Sequence, residues 1–232
     1  MNFTRVRAVL FDLDGTLYRQ APLRALMALE LAVLPLYRPF GARLEWRALQ
    51  AFRHAQERLR GAADALPPGT QLELAAADSG LPVARVRTAV DEWIMSRPLK
   101  YLPLCRATGL GALLGTLDRA GLRAGVLSDY PADTKLKALG LADRFSPVLC
   151  STDPEIAAFK PSPRGYLRAC EIWRLEPVEV LFVGDRAEVD AAGAAAAGMP
   201  CAIVGPGRSG SETAGYRTFR SLERLSRVLD NR

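Results

Sequence analysis

The sequence contains few of the residues that build common metal and redox sites. It has one histidine, His54, and four cysteines, none of which forms a Cys-x-x-Cys pair. Structural zinc sites need several Cys and His residues at short spacings, so a zinc site is not expected. We interpret the cysteines as buried or half-buried thiols in a protein of a reducing compartment.

Long apolar runs are also missing. The longest apolar stretch, around residues 26–37, is interrupted by Glu30 and Pro35, and the N-terminal run before Asp12 is only a few residues long. A membrane-spanning helix needs about 20 consecutive apolar residues, and a secretory signal needs an apolar segment with its own flanking pattern. We therefore expect no membrane partner and a cytoplasmic location.

Lysine is scarce although the chain is basic, with a net charge of +6 and a pI of about 9.4. Four of the 31 basic residues are lysines (Lys100, Lys135, Lys137 and Lys160), and the rest are arginines. The arginines are scattered and no aromatic-rich strand accompanies them, whereas nucleic-acid sites cluster their basic residues on one face. We therefore expect no nucleic-acid partner.

Short apolar runs alternate with helical patterns over most of the chain. Strands are predicted at residues 6–11, 123–128, 148–151, 180–183 and 201–204, and helices at residues 109–120, 133–139, 162–175 and 187–197. The runs are nearly continuously apolar, which is typical of parallel strands covered on both faces. The alternation predicts an α/β fold with a doubly wound, Rossmann-like parallel sheet.

One segment interrupts this alternation with helices alone. Four helices are predicted at residues 22–34, 44–59, 71–78 and 82–95, with boundaries at Pro35, residues 39–41, residues 67–69 and Gly80. Because the segment follows the first strand, it predicts an inserted four-helix cap domain. The predicted core is residues 1–18 and 100–232 and the cap residues 19–99, with hinges near residues 18–22 and 97–103.

The carboxyl ends of the strands carry the candidate site residues, because ligands of doubly wound sheets bind at this edge. Asp12 and Asp14 follow the first strand, where Gly15 permits a sharp turn. Two carboxylates so close suit a nucleophile and an acid/base, provided that a cation limits their repulsion. Ser128 and Asp129 end the second strand, where a hydroxyl and a backbone N–H can hold phosphate oxygens.

Two further groups complete the set. Lys160 belongs to a Phe-Lys-Pro run, and its use in a lysine-poor chain indicates that a compact ammonium is needed. Asp185 follows a Val-Leu-Phe-Val-Gly run, and Asp190 lies about one helical turn farther on, so both can bind or support magnesium. Singly, these groups also fit an ordinary turn, a solvated lysine or an acidic helix N-terminus.

In this order the four groups resemble the motifs of the haloacid dehalogenase superfamily. That superfamily has a strand-end Asp-x-Asp, a strand-end Ser or Thr, a Lys and an acidic Gly-Asp loop, matched here at Asp12, Ser128, Lys160 and Asp185. The resemblance covers the whole chain, because one branch carries a helical cap after the first motif. It implies a Rossmann-like core with a helical cap, similar to phosphoglycolate phosphatases or nucleotidases.

The resemblance also implies catalytic and phosphate-binding roles. Asp12 matches the nucleophile that forms an aspartyl-phosphate. Asp14 matches the general acid/base, which protonates the leaving alcohol and then activates water. Ser128 and the backbone of Asp129 match the phosphate cradle, and Lys160 matches the residue that neutralises nucleophile and phosphate.

The implied cofactor is Mg²⁺. Its ligands would be Asp12, the backbone carbonyl of Asp14, and Asp185, with Asp190 in a supporting position. These parts suit phosphoryl transfer, in which positioning and charge neutralisation dominate. The implied partner is a small phosphorylated metabolite, and the oligomeric state is left open.

Two departures and three alternatives bear on this interpretation. Asp129 stands where the family frequently has Asn, so its side chain is expected to turn away from phosphate or to bind another group. Arg186, the second departure, is shared by many relatives. Dehalogenases lack the carboxylate at the position of Asp14, so dehalogenation is not expected. A phosphomutase acting on a sugar phosphate and a non-catalytic binding protein remain as alternatives.

The first half of the predicted cap is rich in basic residues. Some of these could bind a second anionic group of the substrate, whereas most are expected on solvated helix faces. The residues are Arg24, Arg38, Arg43, Arg47, Arg53, His54, Arg58 and Arg60.

Overall fold

A single sheet organises the described part of the chain. The computed structural model describes residues 3–33, 41–60, 66–205, 212–213 and 215–231. Within them, seven strands follow the order β3-β2-β1-β4-β5-β7-β6. The strands are β1 (Ala8–Phe11), β2 (Arg123–Ser128), β3 (Val148–Cys150), β4 (Val180–Gly184), β5 (Cys201–Val204), β6 (Glu212–Thr213) and β7 (Tyr216–Phe219). Neighbouring strands run parallel, except that β6 is antiparallel to β7.

Helices cover both faces of this sheet or form the cap. They are α1 (Gln20–Val33), α2 (Gly41–Leu59), α3 (Thr70–Ser79), α4 (Val83–Val90), α5 (Leu102–Cys105), α6 (Leu110–Arg119), α7 (Asp133–Ala138), α8 (Arg164–Trp173), α9 (Ala192–Ala197) and α10 (Leu222–Asp230). Short π-helical turns span Asp91–Ser96 and Ala187–Ala191, and 3-10 turns span Arg97–Tyr101 and Pro177–Glu179. No described helix combines the length and apolar composition that a bilayer crossing requires.

The central strand β1 is buried on both sides. Val9 and Phe11 pack in one hydrophobic cluster with α6 and α10. Ala8 and Leu10, on the opposite face, pack in a second cluster with α8 and α9. Side chains alternate between the faces of a strand, so an entirely apolar run is what a strand between two helical layers requires.

The cap has a hydrophobic cluster of its own. It joins α2, α3 and α4, and Tyr130 of the core packs against it. The helix α1 differs, because Leu23 packs in the cluster beside β1. All four helices predicted for the inserted segment are present, and the exact boundary between core and cap stays a prediction.

The segments that join core and cap are paired through their backbones. Tyr18 and Arg106 form an antiparallel bridge, and the Arg19 N–H donates to the Cys105 carbonyl at 2.8 Å. This pairing lies at the first predicted hinge and just after the second. The backbone pairing therefore holds the two connecting segments side by side.

The structure confirms the predicted fold class and refines its elements. The helices predicted at residues 82–95 and 187–197 each contain a π-helical turn, which alters the helical repeat locally. β6, β7 and α10 were not predicted. The predicted boundary residues 34–35 and 39–40 lie outside the described residues.

Candidate active site

Asp12 lies directly after β1 and is only 5% exposed. Its backbone N–H donates to the Val183 carbonyl at 2.8 Å, which fixes the loop against β4. Lys160 Nζ donates to Asp12 Oδ1 at 2.5 Å, and Thr16 Oγ1 donates to Asp12 Oδ2 at 3.1 Å. Each carboxylate oxygen is thus oriented by one donor and keeps further acceptor capacity.

Asp190 supports Lys160 and the turn after β4. Lys160 Nζ also donates to Asp190 Oδ1 at 2.8 Å. Asp190 Oδ2 accepts from the backbone N–H groups of Asp185 and Arg186, both at 3.1 Å. At Gly184 a Cβ would overlap the Asp190 carboxylate, so the close approach depends on glycine.

Asp12, Asp185 and Asp190 form a compact carboxylate cluster. One oxygen from each lies within 4.8 Å of the others. Burial raises the pKa of Asp12 well above its usual range, against the opposing effect of Lys160. Burial and the neighbouring Asp190 raise the pKa of Asp185 to about 6. Lys160 supplies one positive charge against these three carboxylates, so the cluster carries excess negative charge when ionised.

This excess charge and the oxygen ligands fit a divalent cation such as Mg²⁺. Asp12 and Asp185 offer carboxylate oxygens, and each oxygen of Asp12 accepts a single hydrogen bond. Asp190 already accepts three, one on Oδ1 and two on Oδ2. The Asp14 carbonyl, the third ligand implied by the family resemblance, accepts a hydrogen bond from Gln20 Nε2. At Gly15, with φ of 112°, a Cβ would overlap the Asp185 carboxylate.

Asp14 sits in a different electrostatic environment from Asp12. Lys135 Nζ donates to Asp14 Oδ1 at 2.6 Å, and the Tyr18 hydroxyl donates to the same oxygen. Burial acts to raise the pKa of Asp14, but Lys135 and then Tyr18 outweigh it, and the net result is a lowered pKa. The two carboxylates of the first motif therefore have pKa values shifted in opposite directions. A cation bound beside Asp12 would favour the ionised form that a nucleophile needs.

Ser128 is the last residue of β2 and Asp129 follows it, as predicted. The Ser128 side chain is fully buried, and its Oγ accepts the Tyr130 N–H at 3.2 Å. Asp129 Oδ1 accepts from Ser151 Oγ at 2.8 Å and from the Lys160 N–H at 3.3 Å. As expected for a carboxylate at this position, Asp129 binds other groups of the protein.

Lys135 was not predicted as a site residue, and Arg60 was predicted only as one of several basic cap residues. Lys135 is 4% exposed and bound to Asp14; the scarcity of lysine that indicated Lys160 applies equally to it. Arg60, one of the cap candidates, donates from NH1 to Asp129 Oδ2 at 2.7 Å. Its selection from the other arginines depends on how α2 docks, which no local pattern reveals.

Two of the other cap arginines have contacts away from the site. Arg58 pairs with Asp78 inside the cap at 2.9 Å, and Arg47 donates to the Ser79 carbonyl. Arg38 lies outside the described residues. Among the basic cap residues that the structure describes, Arg60 forms hydrogen bonds with two residues of the site, Asp129 and Lys160.

The order of these residues on β1, β2 and β4 agrees with a known family. A sequence profile of the haloacid dehalogenase-like hydrolases matches residues 6–198. The chain belongs to this family. The prediction of a haloacid dehalogenase-like hydrolase is therefore confirmed.

Relatives within this family are phosphatases by name. An N-acetylmuramic acid 6-phosphate phosphatase of Pseudomonas aeruginosa is 29% identical over 80% of this chain and 76% of its own length. A phosphoglycolate phosphatase of Rhodospirillum rubrum is 32% identical over 88% of this chain and 81% of its own length. These matches confirm the predicted enzyme class, a phosphoric monoester hydrolase of the haloacid dehalogenase-like family.

A solved structure supports the same fold. A magnesium-bound haloacid dehalogenase-like hydrolase of Bacillus subtilis, in which interdomain movement is described, has a TM-score of 0.65 at 20% identity. The match covers 98% of this chain and all of the other. The two proteins therefore share their overall fold.

Proposed function

We propose that the chain is a Mg²⁺-dependent phosphatase that hydrolyses a small phosphate monoester through an aspartyl-phosphate on Asp12. The observation that carries the proposal is the buried Asp12 carboxylate, held by Lys160 beside a cluster of carboxylates. A buried ammonium next to a buried carboxylate can neutralise both the nucleophile and an incoming phosphate. The haloacid dehalogenase-like family supports the same assignment.

Asp12 is the proposed nucleophile. Lys160 and Thr16 hold its two oxygens, so the carboxylate does not need to reorient before it attacks phosphorus. The attack forms a bond from an Asp12 oxygen to phosphorus and breaks the bond from phosphorus to the leaving alcohol oxygen. Hydrolysis of the acyl phosphate then restores Asp12 and releases phosphate.

Asp14 is the proposed acid and base. It gives a proton to the leaving oxygen in the first step and removes one from water in the second. The bonds from Lys135 and Tyr18 hold its Oδ1, which leaves Oδ2 for proton transfer. Ser128 Oγ accepts the Tyr130 N–H, so its own hydrogen is available to a phosphate oxygen.

Asp12, Asp185 and the carbonyl of Asp14 would hold the metal ion. Bound Mg²⁺ supplies positive charge that neutralises the phosphate oxygens. Asp190 keeps Lys160 and the loop after β4 in place through the bonds described above. The substrate is proposed to be a small phosphorylated metabolite.

The test is phosphate release from a panel of monoesters, with and without Mg²⁺. The panel includes phosphoglycolate, N-acetylmuramic acid 6-phosphate and N-acetylglucosamine 6-phosphate, the last as a sugar phosphate without a carboxylate. Asp12→Asn should lower kcat at least about a thousandfold, as removal of a nucleophile does. Asp118→Asn, a surface carboxylate paired with Arg144, is the control and should retain wild-type activity.

Four other results would contradict the proposal. Near-normal turnover by Asp12→Asn would exclude Asp12 as the nucleophile. Turnover in the presence of a chelator would exclude the metal. An isomerised sugar phosphate without phosphate release, followed by ³¹P NMR, would indicate a mutase, and binding without turnover would indicate a non-catalytic protein.

A further inference from the structure

The segment after β2 is a docking point for the cap. Tyr130 packs against the cap cluster, and its ring is stacked on Phe52 of α2 with centroids 6.0 Å apart. Its hydroxyl donates to Gln56 Oε1 at 2.7 Å. The residue that follows Ser128 and Asp129 is therefore built into the interface with α2.

Asp129 extends this docking point into the site. Arg60, the residue after α2, donates to Asp129 Oδ2 at 2.7 Å, and the side chains are 12% and 11% exposed. Asp129 Oδ1 binds Ser151 and the Lys160 N–H. A carboxylate can only accept hydrogen bonds, and both oxygens of Asp129 accept them here, so this side chain is not suited to hold a phosphate oxygen.

The ion pair also encloses the backbone of Lys160. Arg60 NH1 donates to the Lys160 carbonyl at 2.7 Å, while Asp129 accepts the Lys160 N–H. Both backbone polar groups of Lys160 thus depend on one cap–core pair. The same lysine carries the ammonium that binds Asp12 and Asp190.

A second ion pair joins the cap to the core, and it is more exposed to solvent. Arg186 NH1 lies 3.4 Å from Glu57 Oε1, and the two side chains are 41% and 53% exposed. Exposed ion pairs contribute little, whereas loss of one partner of a largely buried pair leaves an uncompensated charge. The Arg60–Asp129 pair is therefore the stronger ionic connection of the two.

We propose that Asp129 is a positioning residue that couples cap docking to catalysis. With the cap docked, Asp129 and Arg60 hold the Lys160 backbone, and the Lys160 ammonium is set against Asp12. With the cap undocked, Arg60 leaves both Asp129 and the Lys160 carbonyl, and the Lys160 backbone keeps only its N–H bond to Asp129. The catalytic part of this proposal rests on the proposed phosphatase function, because Lys160 acts on a substrate only if the protein is a phosphatase.

The test combines kinetics with a distance measurement. Asp129→Asn, Arg60→Gln and the double variant are compared with Arg58→Gln, a matched control whose arginine pairs inside the cap. Spin labels are placed at Ala77→Cys in α3 and Ala142→Cys in the core, both exposed positions. The four native cysteines are buried, so the labels go to the introduced thiols.

Each single variant should lower kcat about ten- to a hundredfold, as small misplacements of catalytic groups do, with a smaller change in KM. The double variant should be no worse than the more damaging single variant, because both remove the same interaction. The cap–core distance distribution should broaden in all three variants. The Arg58→Gln variant should keep the wild-type distance distribution.

The proposal is overturned if Asp129→Asn and Arg60→Gln keep the wild-type distance distribution. It is also overturned if their kinetic effects multiply, or if the distances broaden while kcat is unchanged. Failure of the wild type to hydrolyse any panel member would reject the phosphatase function itself. The distance measurement would in that case still decide whether the pair holds the cap.

Discussion

At the scale of single residues, the site is a set of charged side chains that are buried from solvent. Asp12, Lys160 and Asp190 are 5%, 3% and 1% exposed. Buried charges cost free energy unless they are paired and hydrogen-bonded, and Lys160 bonds to both carboxylates. Two glycines, at positions 15 and 184, let the backbone approach the carboxylates of Asp185 and Asp190 respectively, where no Cβ fits.

Gly15→Ala tests whether this close approach is needed. The new methyl group would overlap the Asp185 carboxylate, so we expect kcat/KM to fall about a hundredfold or more, in line with misplacement of catalytic groups. Gly215→Ala is the matched control, because its φ of 99° is similar and no atom lies within 4 Å of its Cβ position. Equal losses in the two variants would attribute the effect to backbone strain alone.

Lys135→Met tests the residue that holds Asp14. Loss of the ammonium leaves a buried carboxylate without this partner, and we expect kcat to fall about ten- to a hundredfold, the scale of an acid/base contribution. Lys137→Met, an exposed lysine on the same helix, should stay within about twofold of wild type. Steady-state kinetics on the best panel substrate measures both, and an unchanged kcat in Lys135→Met would show that Asp14 needs no such partner.

At the scale of elements, local patterns predicted most of what was found. Continuous apolar runs predicted β1 and β4, which are buried along their whole length, and β2, which is buried from Gly125 onwards. The helix α10 was missed, although Leu222, Leu225 and Leu229 recur at helical spacing and are buried. β6 has two residues, too few for any periodicity.

Long-range contacts of the site could not be predicted in the same way. Lys135 and Asp14 are 121 positions apart, and Arg60 and Asp129 are 69 positions apart. Motif order placed Asp12, Lys160 and Asp185 at one edge of the sheet, because strand ends converge there. Which further side chains reach that edge depends on how α2 and α7 pack.

Glu30→Gln tests the connection between α1 and the second junction. Glu30 accepts from Arg97 NH1 at 3.1 Å and also binds Lys100 and Tyr101. Although burial opposes the shift, bonds from Lys100 and Tyr101 lower the pKa of Glu30 to about 2. The ionised form is thus favoured by folding, and its stabilisation is present above the ordinary pKa of 4.5 and lost as the pH falls towards 2.

We expect Glu30→Gln to lower the free energy of unfolding by about 1 kcal/mol at pH 7. The difference from wild type should shrink below pH 4.5 and vanish near pH 2, as measured by urea unfolding across pH. Glu171→Gln, which removes an exposed pair with Arg168, should change stability by only a few tenths of a kcal/mol. A pH-independent loss in Glu30→Gln would assign the effect to packing.

At the scale of the whole molecule, the residues that the structure describes form three hydrophobic clusters. Two lie on opposite faces of the sheet and the third is in the cap. The carboxylate cluster lies at the ends of β1 and β4, between the two sheet faces. Its excess negative charge should therefore affect the stability of the entire core in the absence of metal.

Asp185→Asn tests this coupling between site charge and global stability. The raised pKa of Asp185, about 6, means that folding disfavours its ionised form. The metal-free wild type should gain stability as the pH falls through about 6. At pH 8 in a chelator, Asp185→Asn should therefore melt at a higher temperature than wild type, because the neutral side chain removes one of three clustered charges.

Magnesium should reverse this order. A ligand that binds the folded state stabilises it increasingly with concentration, so the melting temperature of the wild type should rise with added Mg²⁺ while that of Asp185→Asn stays nearly constant. Asp118→Asn should follow the wild type throughout. An equal rise in Asp185→Asn would place the metal elsewhere, and a lower melting temperature of this variant in chelator would mean that Asp185 stabilises the fold by its hydrogen bonds. We expect the melting temperatures of wild type and Asp185→Asn to cross as Mg²⁺ is added. This result would mean that the carboxylate set suited to a divalent cation destabilises the metal-free fold.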